Sequence, residues 1–403
     1  MMDPVVAVRY VKSEAFRGGL DEKIYERTLR FSKKAHKLKV LLTYLKRVHF
    51  DTKWKGKILM MIQSHPLLAA PLAVGDTIGF FSSSAPATVT AKNRFFRGVE
   101  FLQRKGFKLV SGKLTGKTDF YRSGTIKERA QEFNELVYNP DITCIMSTIG
   151  GDNSNSLLPF LDYDAIIANP KIIIGYSDTT ALLAGIYAKT GLITFYGPAL
   201  IPSFGEHPPL VDITYESFIK ILTRKQSGIY TYTLPEKWSD ESINWNENKI
   251  LRPKKLYKNN CAFYGSGKVE GRVIGGNLNT LTGIWGSEWM PEIRNGDILF
   301  IEDSRKSIAT VERLFSMLKL NRVFDKVSAI ILGKHELFDC AGSKRRPYEV
   351  LTEVLDGKQI PVLDGFDCSH THPMLTLPLG VKLAIDFDNK NISITEQYLS
   401  TEK

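Results

Sequence analysis

From Val74 onward the chain alternates short β-rich apolar runs with amphipathic helical stretches, the pattern of an α/β sheet whose strands are joined by crossover helices. Thr77 to Phe81 reads as a strand. Lys92 to Lys105 reads as a helix, with Phe95, Phe96, Val99, Phe101 and Leu102 crowding one side. Another helix is expected to open at Thr125, where Thr125-x-x-Glu128 forms a capping box, and to end near Asn139-Pro140. Ile142 to Thr148 and Lys171 to Tyr176 are apolar runs bounded by Gly or Pro, as strands buried on both faces would be. A second α/β unit is expected from about Val269. Its strands fall at Ile298 to Glu302, Val327 to Leu332, Pro361 to Leu363 and Leu383 to Phe387, and its helices at Ala309 to Leu320 and Tyr348 to Leu355.

At 403 residues the chain exceeds what one hydrophobic core usually holds, so two domains are expected. Residues 61–225 form the first, with a Rossmann-like parallel sheet, and 266–403 the second, a C-terminal α/β domain. Between them, residues 226–265 scatter Tyr230, Tyr232, Trp238, Trp245 and Tyr257 among lysines with no sustained period. That stretch reads as a long inter-domain loop, of a length uncommon unless functional.

The chain carries 54 Lys+Arg against 43 Asp+Glu, a net charge of +11. The first 59 residues hold 15 basic and 6 acidic groups, which leaves 39 against 37 in the rest. The basicity therefore belongs to a leader, residues 1–60, and the folded part lacks the footprint of a nucleic-acid or membrane binder. Within the leader, apolar and basic residues from Tyr25 to Phe50 suit an amphipathic helix lying on a membrane or RNA. A poorly ordered appendage is the preferred reading, since the segment has no strands of its own to build a core with. Met60 and Met61 stand where a second start would sit, so its removal is expected to leave activity intact. No run approaches 18 apolar residues, and the N-terminus lacks the order of a signal peptide, so a cytoplasmic location is expected. Cys144, Cys261, Cys340 and Cys368 form no CxxC pair, which indicates reduced, mostly buried thiols with no metal site or disulfide framework.

The strongest chemical signal is the segment Ile172-Ile173-Ile174-Gly175-Tyr176-Ser177-Asp178-Thr179-Thr180. An apolar strand running through Gly to Ser and directly into a helix places the hydroxyl on a tight turn at the sheet edge, as in a nucleophile elbow. Backbone N–H groups of the new helix, that of Asp178 first, then face a developing oxyanion. The plainer reading is that Ser177 or Thr179 caps the helix. Thr179 also stands where the general elbow has Gly. A second turn, Ser147-Thr148-Ile149-Gly150-Gly151-Asp152-Asn153, falls at the same carboxyl edge, where α/β sheets bind ligands, and Gly151 is its candidate oxyanion donor. A dinucleotide-binding oxidoreductase is the rival for such Gly-rich turns, but no spaced G-x-G-x-x-G is present.

A serine nucleophile needs a base, and the base an orienting acid. His370 and His372 share the Gly- and Pro-rich loop Gly365 to Gly380, and spacing does not separate them. Glu302 ends the apolar run Asp297 to Glu302, where an unpaired carboxylate would be costly; Asp303 is its neighbour and faces the opposite side of the strand.

With these pieces in place, residues 61–403 resemble the LD-carboxypeptidase family of serine peptidases. The resemblance rests on five ordered motifs: the Gly-Gly turn at 150 and 151, Gly-Tyr-Ser-Asp-x-Thr around Ser177, Gly271-Arg272-x-x-Gly275-Gly276-Asn277-Leu278, the Leu-Phe-Ile-Glu-Asp strand, and His-Thr-x-Pro-x-x-Thr-Leu-Pro-x-Gly. It implies Ser177 as nucleophile, Glu302 as orienting acid and His370 as general base, with no cofactor. Ser369 stands where the family usually has Gly. Ser147 to Pro159, Gly275 to Thr280 and the aromatic insertion resemble a subgroup of cytoplasmic homodimers. Those enzymes cleave the linkage between a C-terminal aspartate and a modified adenylate; other members remove a terminal D-alanine from muropeptides. The residues agree with a peptidyl-nucleotide substrate. Trp238 and Trp245 are candidates to stack on a purine, Arg305 and Lys306 follow Glu302 closely enough to reach a phosphate, and Asn277 and Asn279 are candidate amide contacts.

Overall fold

The computed structural model describes residues 66–223, 228–245 and 253–401. The expected basic extension, residues 1–60, lies outside the described residues. The first sheet contains β1 (Thr77–Phe81), β2 (Lys108–Ser111), β3 (Ile142–Ser147), β4 (Ile172–Gly175) and β5 (Thr194–Tyr196). These five strands are parallel, in the spatial order β5-β4-β3-β1-β2. Helices Lys92–Arg104, Ile126–Tyr138 and Thr180–Thr190 lie between successive strands. The expected capping box forms: Thr125 Oγ1 accepts from Glu128 N at 3.3 Å, and the Glu128 carboxylate accepts from Thr125 N at 2.9 Å. On the helix Lys92–Arg104 the buried face is Arg94, Phe95, Gly98, Phe101 and Leu102, while Phe96 points outward. At about 100° per residue the buried residues span one face centred near Phe95, Gly98 and Leu102, and Phe96 falls outside it.

The second sheet is built on β10 (Lys268–Asn277), β11 (Ile298–Glu302), β12 (Ala329–Gly333) and β13 (Val362–Phe366), which run parallel. Antiparallel strands extend both edges. On one side are β15 (Lys382–Asp386), β16 (Asn391–Ile394) and β6 (Tyr230–Thr231), and on the other β9 (Ala262–Tyr264). A separate pair joins β7 (Lys237–Trp238) to β8 (Tyr257–Lys258). The stretch 226–265 thus contributes strands where an irregular loop was expected. Its runs are two or three residues long, too short to show a period. A further crossing is made by β14 (Leu377–Leu379), which pairs antiparallel with β5 and gives the first sheet a strand from the end of the chain.

Residues 66–403 cluster as one compact unit. Alternation along β11 explains how the two sheets share a core. Ile298 and Phe300 join the large cluster that includes Phe81, Ile174, Tyr196 and Leu383, whereas Leu299 and Ile301 join a second cluster with Phe315 and Leu351 of the covering helices. Glu302, two residues after Phe300, therefore emerges on the face turned toward the first sheet. Of the four cysteines, Cys144 and Cys368 are buried and Cys261 and Cys340 half-buried, all unpaired. No helix of the described residues is long and apolar enough to cross a membrane.

Candidate active site

β4 is buried throughout and ends at Gly175, where a Cβ would meet Ser147 Oγ at 2.4 Å and Thr179 Cγ2 at 2.8 Å. The chain stays extended at Tyr176 and then turns sharply: Ser177 has φ +60°, the left-handed region that costs an L-residue roughly 1–2 kcal/mol. A single 3-10 turn, Ser177–Thr179, leads into the helix Thr180–Thr190. Thr179 makes no capping hydrogen bond, and its buried hydroxyl has no partner among the described residues, so the helix-cap reading fails there. The strained turn instead has the form of an elbow that lifts Ser177 off the strand end.

The glycine turn packs directly on this elbow. A Cβ at Gly150 would stand 2.8 Å from Ser177 Oγ and 3.0 Å from Asp178 N, so it is Gly150 whose bare backbone admits the serine. Gly151, at φ +145°, lies against Ser84 instead. The Asp178 carboxylate is buried and accepts from Asn153 N at 3.1 Å and Ser154 N at 2.9 Å, bolting the two turns together. Burial raises its pKa, with the Ser154 and Ser84 hydrogen bonds opposing.

Glu302 is fully buried and accepts from four donors: His370 Nδ1 at 2.7 Å, His370 N at 3.2 Å, Tyr196 Oη at 2.6 Å and Asn277 Nδ2 at 2.9 Å. Burial works against its charge, but the His370 cation and these hydrogen bonds hold its pKa below the ordinary 4.5. His370 responds in the opposite sense. Burial pushes its pKa down, and Glu302 more than restores it, leaving it above 6.5. Tyr196 Oη in turn accepts from Ser177 N at 3.2 Å, and the Tyr176 ring meets the His370 ring edge-on at 4.9 Å. Tyr196, a residue the sequence reading missed, thus joins the Ser177 turn to Glu302, which itself holds the His370 ring. Its one sequence signal is a hydroxyl-bearing ring at the end of an apolar strand.

Tertiary placement separates the two histidines. His372 lies 3.7 Å from Glu206, its Nδ1 is buried with no partner among the described residues, and burial beside Lys254 pulls its pKa well down. Asp303, the rival acid, accepts from Asn279 N at 3.1 Å, Ser304 N at 3.0 Å and Asn277 Nδ2 at 3.3 Å, whereas the His370 ring is bound by Glu302; burial next to Glu302 lifts the Asp303 pKa to about 6. Asn277 is paired with Glu302 in register and is buried. Its Oδ1 caps the helix Leu278–Thr282 at Thr280 N, and its Nδ2 donates to Glu302, so both ends of the amide expected to face a substrate are held by the protein.

The other expected substrate contacts are placed by their neighbours. Asn279 is half-buried on the same helix. Arg305 has φ +55° and lies 3.7 Å from Glu336 with its side chain 65% exposed, and Lys306 lies 3.8 Å from Asp303. Trp238 packs on Tyr257 and under the Lys334 ammonium, while Trp245 lies against Arg94. Ser239 exchanges two backbone hydrogen bonds with His372, of 2.7 and 2.9 Å, which ties the aromatic stretch to the loop of the imidazole. Among the described residues no group of three or more His, Cys, Asp or Glu is placed to hold a metal ion.

Known proteins share this fold and sequence. The model of the LD-carboxypeptidase N-terminal domain matches residues 78–197 and that of the C-terminal domain residues 270–385. The microcin C7 self-immunity protein MccF of Escherichia coli is 99% identical over 344 residues, 85% of this chain and 100% of its own length. A solved structure of that protein without ligand, an active-site mutant with one serine, one asparagine and one lysine changed to alanine, superimposes with a TM-score of 0.82. It is 99% identical and covers 83% of this chain and 100% of its own. An MccF-like protein from Bacillus anthracis, 30% identical, has a TM-score of 0.73 over 82% of this chain and 100% of its own.

Proposed function

This chain belongs to the LD-carboxypeptidase family of serine peptidases, and from that premise we propose that it hydrolyses the linkage between a C-terminal aspartate and a modified adenylate. The biological outcome is self-immunity, by inactivation of a peptide-nucleotide antibiotic. The observation that carries the reading is the chain of contacts from Ser177 through Tyr196 to Glu302 and His370. Ser177 Oγ attacks the aspartyl carbonyl while the His370 Nε2 takes its proton. Glu302, bound at Nδ1, fixes the tautomer and stabilises the imidazolium. N–H groups of Asp178 and of the Gly151 turn receive the oxyanion; its collapse breaks the bond to the adenylate, which leaves with the proton from His370. Water, giving its proton to the freed His370, then attacks the acyl-serine ester, and return of that proton to Ser177 Oγ releases a product ending in aspartate.

The substrate class is supported by three features. Trp238 and Trp245 offer rings to a purine, each base contact being worth roughly 1–3 kcal/mol. Arg305 and Lys306 leave β11 just beyond the acid, where a phosphate beside the scissile bond needs cations. The relative's active-site mutant lacks a serine, an asparagine and a lysine, the residue types at 177, 279 and 306. By resemblance, the enzyme works in the cytoplasm as a homodimer. Incubation with an aspartyl-adenylate analogue and a muropeptide in parallel, followed by mass spectrometry, tests the reading. Release of the adenylate with an intact muropeptide is expected; loss of D-alanine alone would replace it with the murein carboxypeptidase activity of the wider family.

A further inference from the structure

Beside the catalytic groups lies a buried charge cluster that the hydrolysis does not use. Glu206 follows the buried turn Leu200–Phe204, and its carboxylate meets Arg94 Nη2 at 2.6 Å, Lys254 Nζ at 3.2 Å and His372 Nε2 at 3.7 Å. The four residues come from separate segments, and none is more than 7% exposed. Arg94 is fixed from its own side, since Nε and Nη2 donate to Ile201 O at 3.0 Å and Pro202 O at 2.6 Å. Its guanidinium carbon lies 4.8 Å from the centre of the Trp245 ring. Glu206 Oε1 accepts from His207 N at 2.9 Å. One carboxylate thus serves two buried cations, Arg94 and Lys254, with the His372 ring beside them. Burial disfavours its charge, yet the neighbouring positive charges hold its pKa far below the ordinary range.

Lys254 and Trp245 belong to the same aromatic stretch that Ser239 ties to the imidazole loop. Glu241 Oε2 accepts from Lys255 N at 2.8 Å, linking the outgoing and returning arms of that stretch. One arm is thus held to the imidazole loop by backbone hydrogen bonds at Ser239, and the other to Glu206 by the Lys254 ammonium. We propose that Glu206 and Lys254 are positioning residues: they hold the returning arm and, through its Lys255–Glu241 link and the Arg94 guanidinium against Trp245, seat the Trp245 ring beside the imidazole loop, and so set the affinity for the nucleotide part of the substrate. The inference rests on the peptidyl-nucleotide reading above. A buried ion pair is weak evidence of stability, because desolvation offsets much of its attraction, but breaking one side leaves a charge that must find water. In Lys254→Met the Arg94–Glu206 pair stays balanced and the stem keeps its apolar volume, so the fold persists while the arm loses its anchor. In Glu206→Gln two cations remain buried without an anion, and both the arm and the imidazole loop are disturbed.

The test measures kcat and KM for an aspartyl-adenylate analogue, together with inhibition by AMP, in the full chain and in Lys254→Met. KM and the AMP inhibition constant are expected to rise together by roughly tenfold, as losing a charged hydrogen bond implies, with kcat within about twofold. In Glu206→Gln kcat falls as well, and adding Lys254→Met to it brings little further loss. Unchanged KM and AMP inhibition in Lys254→Met, or a fall in kcat alone, would overturn the inference while leaving the hydrolase reading intact. A wild-type chain that neither cleaves the analogue nor responds to AMP would overturn the substrate reading and this inference with it.

Discussion

Replacing Glu302 by Gln tests the site at its most constrained atom pair. Four donors converge on the carboxylate, and the amide keeps only one oxygen to receive them. If the new NH2 group faces His370, the ring must accept at Nδ1 and carry its proton at Nε2, where it cannot take a proton from Ser177. If the amide flips, its NH2 group meets the Asn277 Nδ2 amide, which cannot turn because Oδ1 caps the next helix. The Tyr196 oxygen already accepts from Ser177 N. An acid-to-amide change in a Ser-His-acid triad lowers kcat about 10⁴-fold, equivalent to about 5.5 kcal/mol of barrier. The assay is single-turnover cleavage of an aspartyl-adenylate analogue across pH. Wild-type activity should rise as His370 deprotonates, above its ordinary 6.5 because Glu302 raises it; without the carboxylate this acid limb moves to lower pH. A kcat within tenfold of wild type, or an acid limb that does not move, would refute the assignment of Glu302.

Four further outcomes are expected. Ser177→Ala should lose about 10⁶ in kcat with the thermal midpoint nearly unchanged, since a triad acts as a unit; steady-state kinetics with calorimetry checks both. Gly150→Ala puts a Cβ 2.7 Å from Ser177 Cβ, so kcat should fall roughly 100-fold, the cost of a misplaced nucleophile, while circular dichroism stays native. The Glu302–His370 pair should stabilise the fold most between pH 4.5 and 6.5. The depressed Glu302 loses its contribution as pH falls through its folded value, and the raised His370 loses its own as pH rises through its folded value, so the difference in melting temperature between wild type and Glu302→Gln should peak in that window. A chain starting at Met60 should keep wild-type kcat/KM, because the relative that is 99% identical spans 344 residues and lacks the leader; loss of turnover would assign the leader a role.

The order of strands and helices was legible because each is written in local periodicity. The run Ile298–Glu302 is apolar at every position before the acid, and it forms a strand with those bounds. The capping box at Thr125 needs only residues three apart. The elbow at Ser177 was legible for the same reason: an apolar strand, a glycine and a helix start are neighbours in the chain. Where the partner is remote the sequence was silent. The short strands of the aromatic stretch carry too few residues for a period and exist because other strands offer them an edge. Phe96 is apolar yet faces outward, because the helix turns it away from the stripe that packs.

What the sequence determined by itself was therefore the longer strands and helices, the reactive residue types and the family to which their order belongs. The tertiary structure decided which of two histidines two positions apart meets Glu302, that Asn277 donates to Glu302, and that Tyr196 joins the Ser177 turn to Glu302. The physical reason is range. Backbone propensity and side-chain alternation act over a few residues, whereas the partner of a buried charge is fixed by how two sheets pack, and its desolvation cost is met only by donors brought from across the chain.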